Sequence, residues 1–190
     1  MEKEASLEVA INNENTRRLR EIATEVGAFL RGDFTLTSGK KSNYYFDGKK
    51  VNLSPEGIYR VGKAIFDQLV GLKVDAVGGV PVGAYPVVAA VALVSHLEGK
   101  PIPAFIVREE VKEHGTKGRI EGHFKAGYRV AMLDDVCTTG GSVLKAIKAV
   151  EAAGGRVVKV MVLVDRHEGG SDLIKAEGYD FQALLKITHE

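Results

Sequence analysis

The run Asp134-Asp135-Val136-Cys137-Thr138-Thr139-Gly140-Gly141-Ser142 sets two carboxylates directly before a turn rich in hydroxyls and glycines. Apolar Ala131-Met132-Leu133 precede the acids and a helical pattern follows the turn. The chemistry this order suits is the holding of a phosphorylated sugar. Gly140 and Gly141 lack a Cβ, so the backbone can come close to a ligand. The free N–H groups that open the following helix, together with its dipole, favour an anion. Thr138, Thr139 and Ser142 add hydroxyl donors, and the two carboxylates can accept from the hydroxyls of an attached sugar. No Lys-Ser/Thr pair follows the glycines, which excludes a Walker A loop. The G-x-G-x-x-G spacing of a dinucleotide fingerprint is also absent. Alone, the acid pair would be read as a capping turn; the glycines behind it favour the cradle. Cys137 sits near a helix start that could lower its pKa, but the chemistry needs no thiol, and it is read as a small residue that fits the turn.

Three other segments carry polar groups where a ligand could meet them. Gly79-Val80-Pro81-Val82-Gly83 is a glycine-flanked turn. Arg108–His123 has neither a helical nor a strand period, yet carries Lys112, His114, Lys117 and Arg119. A structureless stretch longer than about 12–15 residues in a compact domain is usually functional or disordered. Asp165-Arg166 precedes Gly169-Gly170; taken alone, Arg166 would be expected to pair with Asp165 or Glu168.

The elements that position these segments follow from hydrophobic periodicity. Leu19, Ile22, Ala23, Val26 and Phe29 form one face of a helix over Arg17–Leu30. Asp33–Lys50 mixes aromatic residues with turn formers, as short strands would. Ser54-Pro55 starts a helix whose stripe is Ile58, Val61, Ile65 and Leu69. Strands are then predicted at Val74–Val80, Ile102–Val107, Val130–Leu133, Val157–Val164 and Phe181–Ile187. Helices are predicted at Ala84–Leu97, Ser142–Ala153 and Ser171–Glu177. The alternation predicts an α/β fold with a mostly parallel sheet covered on both faces. Ligands bind beyond the carboxyl ends of such strands, which is where Gly78–Ala84, Arg108–His123, Asp134–Ser142 and Asp165–Gly170 fall.

Composition narrows the class further. The 190 residues are 45% hydrophobic and 27% charged, as in a globular domain able to bury a core. A formal net charge of +1 gives no electrostatic case for nucleic acid or a membrane surface. Cys137 is the only cysteine, so an intrachain disulfide is excluded. The acidic start lacks a secretory core, and the apolar run Ala84–Val94 is well short of the roughly 20 residues that span a bilayer. A cytoplasmic location is expected.

Asp134–Ser142 resembles the motif with which type I phosphoribosyltransferases bind phosphoribosyl pyrophosphate (PRPP). Gly32-Asp33-Phe34-Thr35-Leu36-Thr37-Ser38-Gly39-Lys40-Lys41-Ser42-Asn43-Tyr44-Tyr45-Phe46-Asp47 is similar to the N-terminal segment of orotate phosphoribosyltransferases. Arg108-Glu109-Glu110-Val111-Lys112-Glu113-His114-Gly115 with Ile120-Glu121-Gly122 resembles their catalytic loop, and Asp165-Arg166 with Gly169-Gly170 their orotate-binding turn. The matches run in order from about Gly27 to the last strand.

The resemblance implies a single domain over residues 1–190. Its sheet would be mostly parallel and five-stranded, flanked by helices, with a small N-terminal hood from about residues 1–50. It implies transfer of the phosphoribosyl group of PRPP to orotate, giving orotidine 5′-monophosphate and pyrophosphate in pyrimidine biosynthesis. Lys112, His114, Asp134 and Asp135 would be catalytic. PRPP would be bound by these four, by Arg108 and by the cradle Val136, Cys137, Thr138, Thr139, Gly140, Gly141 and Ser142. Gly79–Gly83 would be the pyrophosphate loop. Orotate would meet Thr138, Arg166, Tyr45 and Phe46. Mg²⁺ would be held mainly by PRPP itself, and the chain would act as a homodimer that shares the 108–123 loop across its interface. Three positions depart from many bacterial members: Glu109, Thr37 and the Val82-Gly83 pair stand where lysines are found, which implies weaker PRPP affinity or a compensating set of cations. A purine or xanthine phosphoribosyltransferase, a PRPP-sensing regulator without turnover, and a plain phosphate-binding α/β protein are the alternatives. Arg166, which a carboxylated pyrimidine explains, and the Phe34–Asp47 segment argue against the first, the +1 charge and the lack of a recognisable DNA-binding segment against the second, and the four ordered matches against the third.

Overall fold

The computed structural model describes residues 4–35, 41–108 and 119–189. Lys112, His114, Glu109 and Thr37 lie outside the described residues.

The chain opens with strand β1 (Ala5–Val9) and helix α1 (Glu14–Glu25). Asn13 caps the helix: its Oδ1 accepts from Thr16 N–H at 2.9 Å, and Thr16 Oγ1 accepts from Asn13 N–H at 3.1 Å. Leu19, Ile22 and Ala23 form the buried stripe. The helix stops at Glu25 rather than Leu30 because Gly27 takes φ +62°. Gly27 N–H donates to Thr24 O at 3.0 Å and Ala28 N–H to Ala23 O at 2.8 Å. These are the paired bonds of a Schellman ending. Phe29, predicted on the helical face, instead begins β2 (Phe29–Thr35), which pairs antiparallel with β3 (Lys41–Phe46) as a separate two-stranded sheet.

The remaining elements are α2 (Gly48–Asn52), α3 (Pro55–Leu69), β4 (Ala76–Gly79), α4 (Ala84–Leu97), β5 (Ala104–Val107), β6 (Ile120–Gly122), β7 (Arg129–Cys137), α5 (Gly141–Ala152), β8 (Arg156–Asp165), α6 (Gly170–Ala176) and β9 (Phe181–His189). Ser54 accepts from Gly57 N–H and Pro55 opens α3, as predicted. Pro86 falls in the first turn of α4, where its missing N–H costs no helical bond.

The main sheet has seven strands in the order β1-β9-β8-β7-β4-β5-β6. The five inner strands are parallel and match the five predicted; β1 and β6 add an antiparallel strand at each edge. The prediction of five strands is thus corrected to seven. The segment Arg108–His123 is not wholly without strand, since β6 lies inside it. Three residues are too few to show a period, and an edge strand needs no continuous apolar run. Side chains alternate across the inner strands. On β7, Ala131 and Leu133 pack with Ile65, Leu69, Val87 and Val91 of α3 and α4. Val130 and Met132 pack on the other side with Val143, Ile147 and Val150 of α5 and Ile174 of α6. Among the described residues no helix is long and apolar enough to cross a membrane.

β7 continues past Leu133, in register with β8 through Asp134↔Val162, Val136↔Val164 and Cys137↔Asp165. Asp134 and Asp135 are therefore strand residues. The ends of β4, β5, β7 and β8 all open on the same edge of the sheet.

Gly27 tests the α1 ending. A Cβ there has room, the nearest atom being Lys50 Nζ at 3.6 Å. The cost of Gly27→Ala is therefore conformational, about 1 kcal/mol for a left-handed alanine. Gly27→Asn loses less, because asparagine tolerates this region better. Denaturant unfolding of both variants checks this; equal losses would trace the effect to crowding rather than to φ.

Candidate active site

The acid pair is shaped by its place in a strand. Asp134 is buried, and Asp135 lies half-buried on the opposite face. Each carboxylate is oriented by the next amide: Asp135 N–H donates to Asp134 Oδ1 and Val136 N–H to Asp135 Oδ1, both at 2.9 Å. Burial, and then the neighbouring charge of Asp135, push the Asp134 carboxyl up to about 8. Asp135 reaches toward the turn after β4. A Cβ on Gly83 would lie 2.2 Å from Asp135 Oδ1, and one on Gly48 would lie 3.1 Å from Oδ2. The lysine absent at Gly83 thus has a steric reason: any side chain there would displace Asp135. Val82 beside it is exposed, and the Pro81–Val82 peptide is cis.

The cradle is the turn from β7 into α5. Gly140 caps the helix with φ +75°. A Cβ on Gly140 would lie 2.9 Å from Gly170 O, and one on Gly170 would lie 2.6 Å from both Gly140 N and Thr138 O. Gly170 N–H donates to Thr138 O, and Arg166 N–H to Cys137 O, each at 3.0 Å. The two glycines of the cradle therefore differ in role. Gly140 is required by this contact within the fold, whereas a Cβ on Gly141 would meet nothing within 4 Å. Gly141, Thr139 and Ser142 line a cavity of about 380 Å³ shared with Val80, Arg108, Arg119 and Lys145. Arg108 N–H donates to Arg119 O at 2.7 Å, and Arg108 Nη1 pairs with Glu121 Oε1 at 2.9 Å.

Lys145 was not marked from sequence. Its signal was its position four residues after Gly141, which puts both on one face of α5. Cys137 is buried within the core on the α5 side. Burial, followed by the charges of Asp165 and Asp134, raises its thiol to about 12. The helix start does not activate it.

The turn after β8 presents Arg166. Asp165 Oδ1 accepts from His167 N–H at 2.9 Å, and His167 takes φ +52°. Arg166 is buried, with its guanidinium carbon 5.0 Å from the centre of the Tyr44 ring. Arg166 Nε donates to Tyr44 Oη at 3.1 Å. Arg166 Nη2 lies 2.9 Å from Glu168 Oε1, yet it makes no aligned hydrogen bond. Burial pushes the Tyr44 phenol up against the opposing pull of Arg166. Of the predicted aromatic pair, Phe46 is buried in the core, while Tyr45 is exposed and faces Phe34, ring centres 5.7 Å apart. Tyr44, passed over in the sequence, is the β3 residue that meets Arg166. The carboxyl ends of the parallel strands thus carry a cavity lined by Arg108, Arg119 and Lys145, the two aspartates, and the buried Arg166.

Residues 54–178 match the model of the phosphoribosyl transferase domain family. An orotate phosphoribosyltransferase of Aquifex aeolicus is 46% identical over 82% of this chain and 85% of its own length. The crystal structure of the Mycobacterium tuberculosis orotate phosphoribosyltransferase in complex with Fe(III) dicitrate superposes with a TM-score of 0.80 at 35% identity, covering 90% of this chain and 96% of that one. The same enzyme in complex with 5-phospho-alpha-D-ribosyl 1-diphosphate gives a TM-score of 0.76 at 33% identity with the same coverage.

Asp134 predicts a pH dependence of stability. A carboxyl that titrates higher when folded holds its proton more tightly in the folded chain. Its contribution is full at low pH and is lost as pH rises from the ordinary aspartate range through about 8. Asp134→Asn removes that titration. Relative to the parent, the variant gains stability as pH rises from the ordinary aspartate range toward about 8. Unfolding free energies of both proteins near pH 5, 7 and 9 check this. A difference that stays flat would mean that Asp134 titrates as an ordinary carboxylate.

Proposed function

The chain belongs to the orotate phosphoribosyltransferase family, and from that premise we propose how its strand-end edge joins PRPP to orotate. The reaction forms a bond from N1 of orotate to C1 of the ribose and breaks the bond from C1 to pyrophosphate. The products are orotidine 5′-monophosphate, a step in pyrimidine biosynthesis, and pyrophosphate. The observation that carries the residue assignment is the backbone junction of the two turns, Gly170 N–H to Thr138 O and Arg166 N–H to Cys137 O. It fixes a phosphate cradle and a carboxylate-binding arginine to each other. The 5′-phosphate of PRPP sits at Thr138–Ser142, and its ribose hydroxyls meet Asp134 and Asp135. The pyrophosphate lies toward Gly79–Gly83 and Arg108. The orotate carboxylate pairs with the fork of Arg166, with Thr138 beside the ring. Arg119 and Lys145 stand at the cavity as the cations that offset the lysines absent at Glu109, Thr37 and Val82-Gly83.

No protein nucleophile takes part. As the bond to pyrophosphate lengthens, positive charge gathers on the ribose and negative charge on the leaving group, and the site acts by positioning and by fixed charge. Lys112 and His114 add charge on the pyrophosphate side and help exclude water. Asp134 and Asp135 provide hard oxygens, and their mutual repulsion is what a bound cation relieves, so the pair fits Mg²⁺ carried in on PRPP. When bound, that ion neutralises charge on the pyrophosphate. The outward residues of α4 support a homodimer: Tyr85, Leu93 and Leu97 are large, apolar and exposed on a helix that is apolar on every side. The activity belongs in the cytoplasm, where a chain with one buried thiol and no disulfide is at home.

Incubation with PRPP, Mg²⁺ and orotate should consume orotate, followed by its absorbance, while adenine, guanine, xanthine and uracil are left unchanged. Asp134→Asn with Asp135→Asn should lower kcat/KM by roughly 100-fold or more while the chain stays folded. A folded double variant with near-native kcat/KM would remove the acids from the site.

The shared loop is tested by complementation. One inactive subunit carries Lys112→Ala and His114→Ala, and the other carries Asp134→Asn and Asp135→Asn. If segment 108–123 serves the partner's site, a heterodimer has one site with both lesions and one with neither. Activity then returns to about half the native value per dimer, since the lesions combine only where they share a site. Verified heterodimers that stay inactive would assign the loop to its own subunit.

A further inference from the structure

We propose that Glu168 is a built-in stand-in for the substrate's carboxylate. It neutralises the Arg166 guanidinium in the ligand-free protein, is displaced by orotate, and returns to help expel the product. The proposal rests on the assignment of Arg166 to orotate.

Arg166 does not need Glu168 to stay in place. Its N–H is fixed to Cys137 O at 3.0 Å, its Nε to Tyr44 Oη at 3.1 Å, and its guanidinium carbon lies over the Tyr44 ring, 5.0 Å from the centre. Its side chain is only 10% exposed, whereas that of Glu168 is 29% exposed. The arginine is thus the fixed partner and the glutamate the one with room to leave. A buried guanidinium without a counter-ion is costly, and Glu168 supplies one from two residues away, across the left-handed His167.

The pairing is nonetheless poor. A guanidinium can take a carboxylate through two parallel N–H bonds. Glu168 offers one oxygen at 2.9 Å to Nη2, with no aligned bond, and the only aligned hydrogen bond found for that oxygen among the described residues is a long one of 3.3 Å from Tyr44 Oη. Charge is satisfied and geometry is not. A free carboxylate on a planar ring carries the same charge and is not tethered by His167, so it can align with the fork. Exchanging Glu168 for orotate therefore keeps the charge balance and gains the hydrogen bonds.

Selectivity follows from the same exchange. A base without a carboxylate, such as uracil, would have to leave Glu168 on the arginine or strand a buried positive charge. Glu168 thus acts against the wrong base as well as weakly against the right one.

Glu168→Gln keeps the size and removes the charge; Glu168→Ala removes both. In each, the dissociation constant and KM for orotate should fall by about two- to fivefold, the worth of a partly exposed ion pair, with KM for PRPP unchanged. The ligand-free proteins should melt lower than the parent and gain more in Tm on adding orotate. A rise in orotate KM in both variants would make Glu168 a positioning residue and overturn the proposal. No change in orotate affinity would overturn it as well. Arg166→Lys, measured in parallel, separates the two levels. If it leaves orotate KM unaltered, the assignment of Arg166 to orotate has failed; if it raises orotate KM while the Glu168 variants do not lower theirs, only the stand-in has failed.

Discussion

Where the turn after β7 meets the turn after β8, a side chain on Gly170 would fall on the backbone of Gly140 and Thr138, at 2.6 Å from each of the two nearest atoms. This backbone contact is the constraint on which the site depends. β7 and β8 are parallel neighbours that end level, Cys137 opposite Asp165. Their turns therefore emerge at the same height, but only residues without side chains let them close on each other. Once closed, Gly170 N–H and Arg166 N–H are satisfied by carbonyls of the β7 turn. The distance between the Thr138–Ser142 turn and the backbone of Arg166 is then set by main-chain bonds rather than by flexible side chains. A reaction that joins a ring to a sugar phosphate needs that kind of fixed separation.

The acids follow a related logic at a cost to the fold. A strand that runs on through Asp134 and Asp135 orients both carboxylates with main-chain N–H groups, but it buries one of them beside the other's charge. Glycine at positions 48 and 83 clears the space that Asp135 fills. The absence of lysine at Gly83 is therefore part of the acid's seat. Two cations that line the nearby cavity come from other elements, Arg119 from the base of the 108–123 segment and Lys145 from one turn along α5.

Much of the fold was legible in the sequence because its strongest signals are also its physically dominant ones. The continuous apolar run Val160–Val164 is buried on both faces, as the middle of a parallel sheet covered by helices requires, and β8 lies there. The α4 boundaries were as predicted, set by Gly83 and the turn after Leu97. The misses share another cause, in that local pattern lost to a tertiary or conformational constraint. β1 alternates Ala5 and Leu7 with Ser6 and Glu8, but five residues at an acidic start are a weak signal. The helical period of α1 ran on to Phe29, while the left-handed Gly27 ended it earlier. Asp134 and Asp135 stood just past the predicted strand Val130–Leu133 because carboxylates are rare inside strands, and here β7 runs on through both. The strand-turn-helix form of Ala131–Ser142 was legible because its signals are local in sequence. Tyr44 and Lys145 were not, since their roles arise only when β3 and α5 are placed against distant partners.

Tyr44 also shows why the arginine matters beyond chemistry. A two-stranded sheet is marginal by itself, and most of β2 is exposed. What ties β2 and β3 to the body of the protein includes Tyr44 and Phe46, which alternate inward while Tyr45 faces out. Tyr44 is 2% exposed and packs its ring near Phe29 and His189 as well as over Arg166. Tyr44, the hydrogen-bond partner of Arg166, is thus one of the anchors of the small sheet. Arg166 and the small strand pair are in direct contact through Tyr44, by the hydrogen bond from Nε and by a guanidinium carbon 5.0 Å from the ring centre, with no intervening element between them.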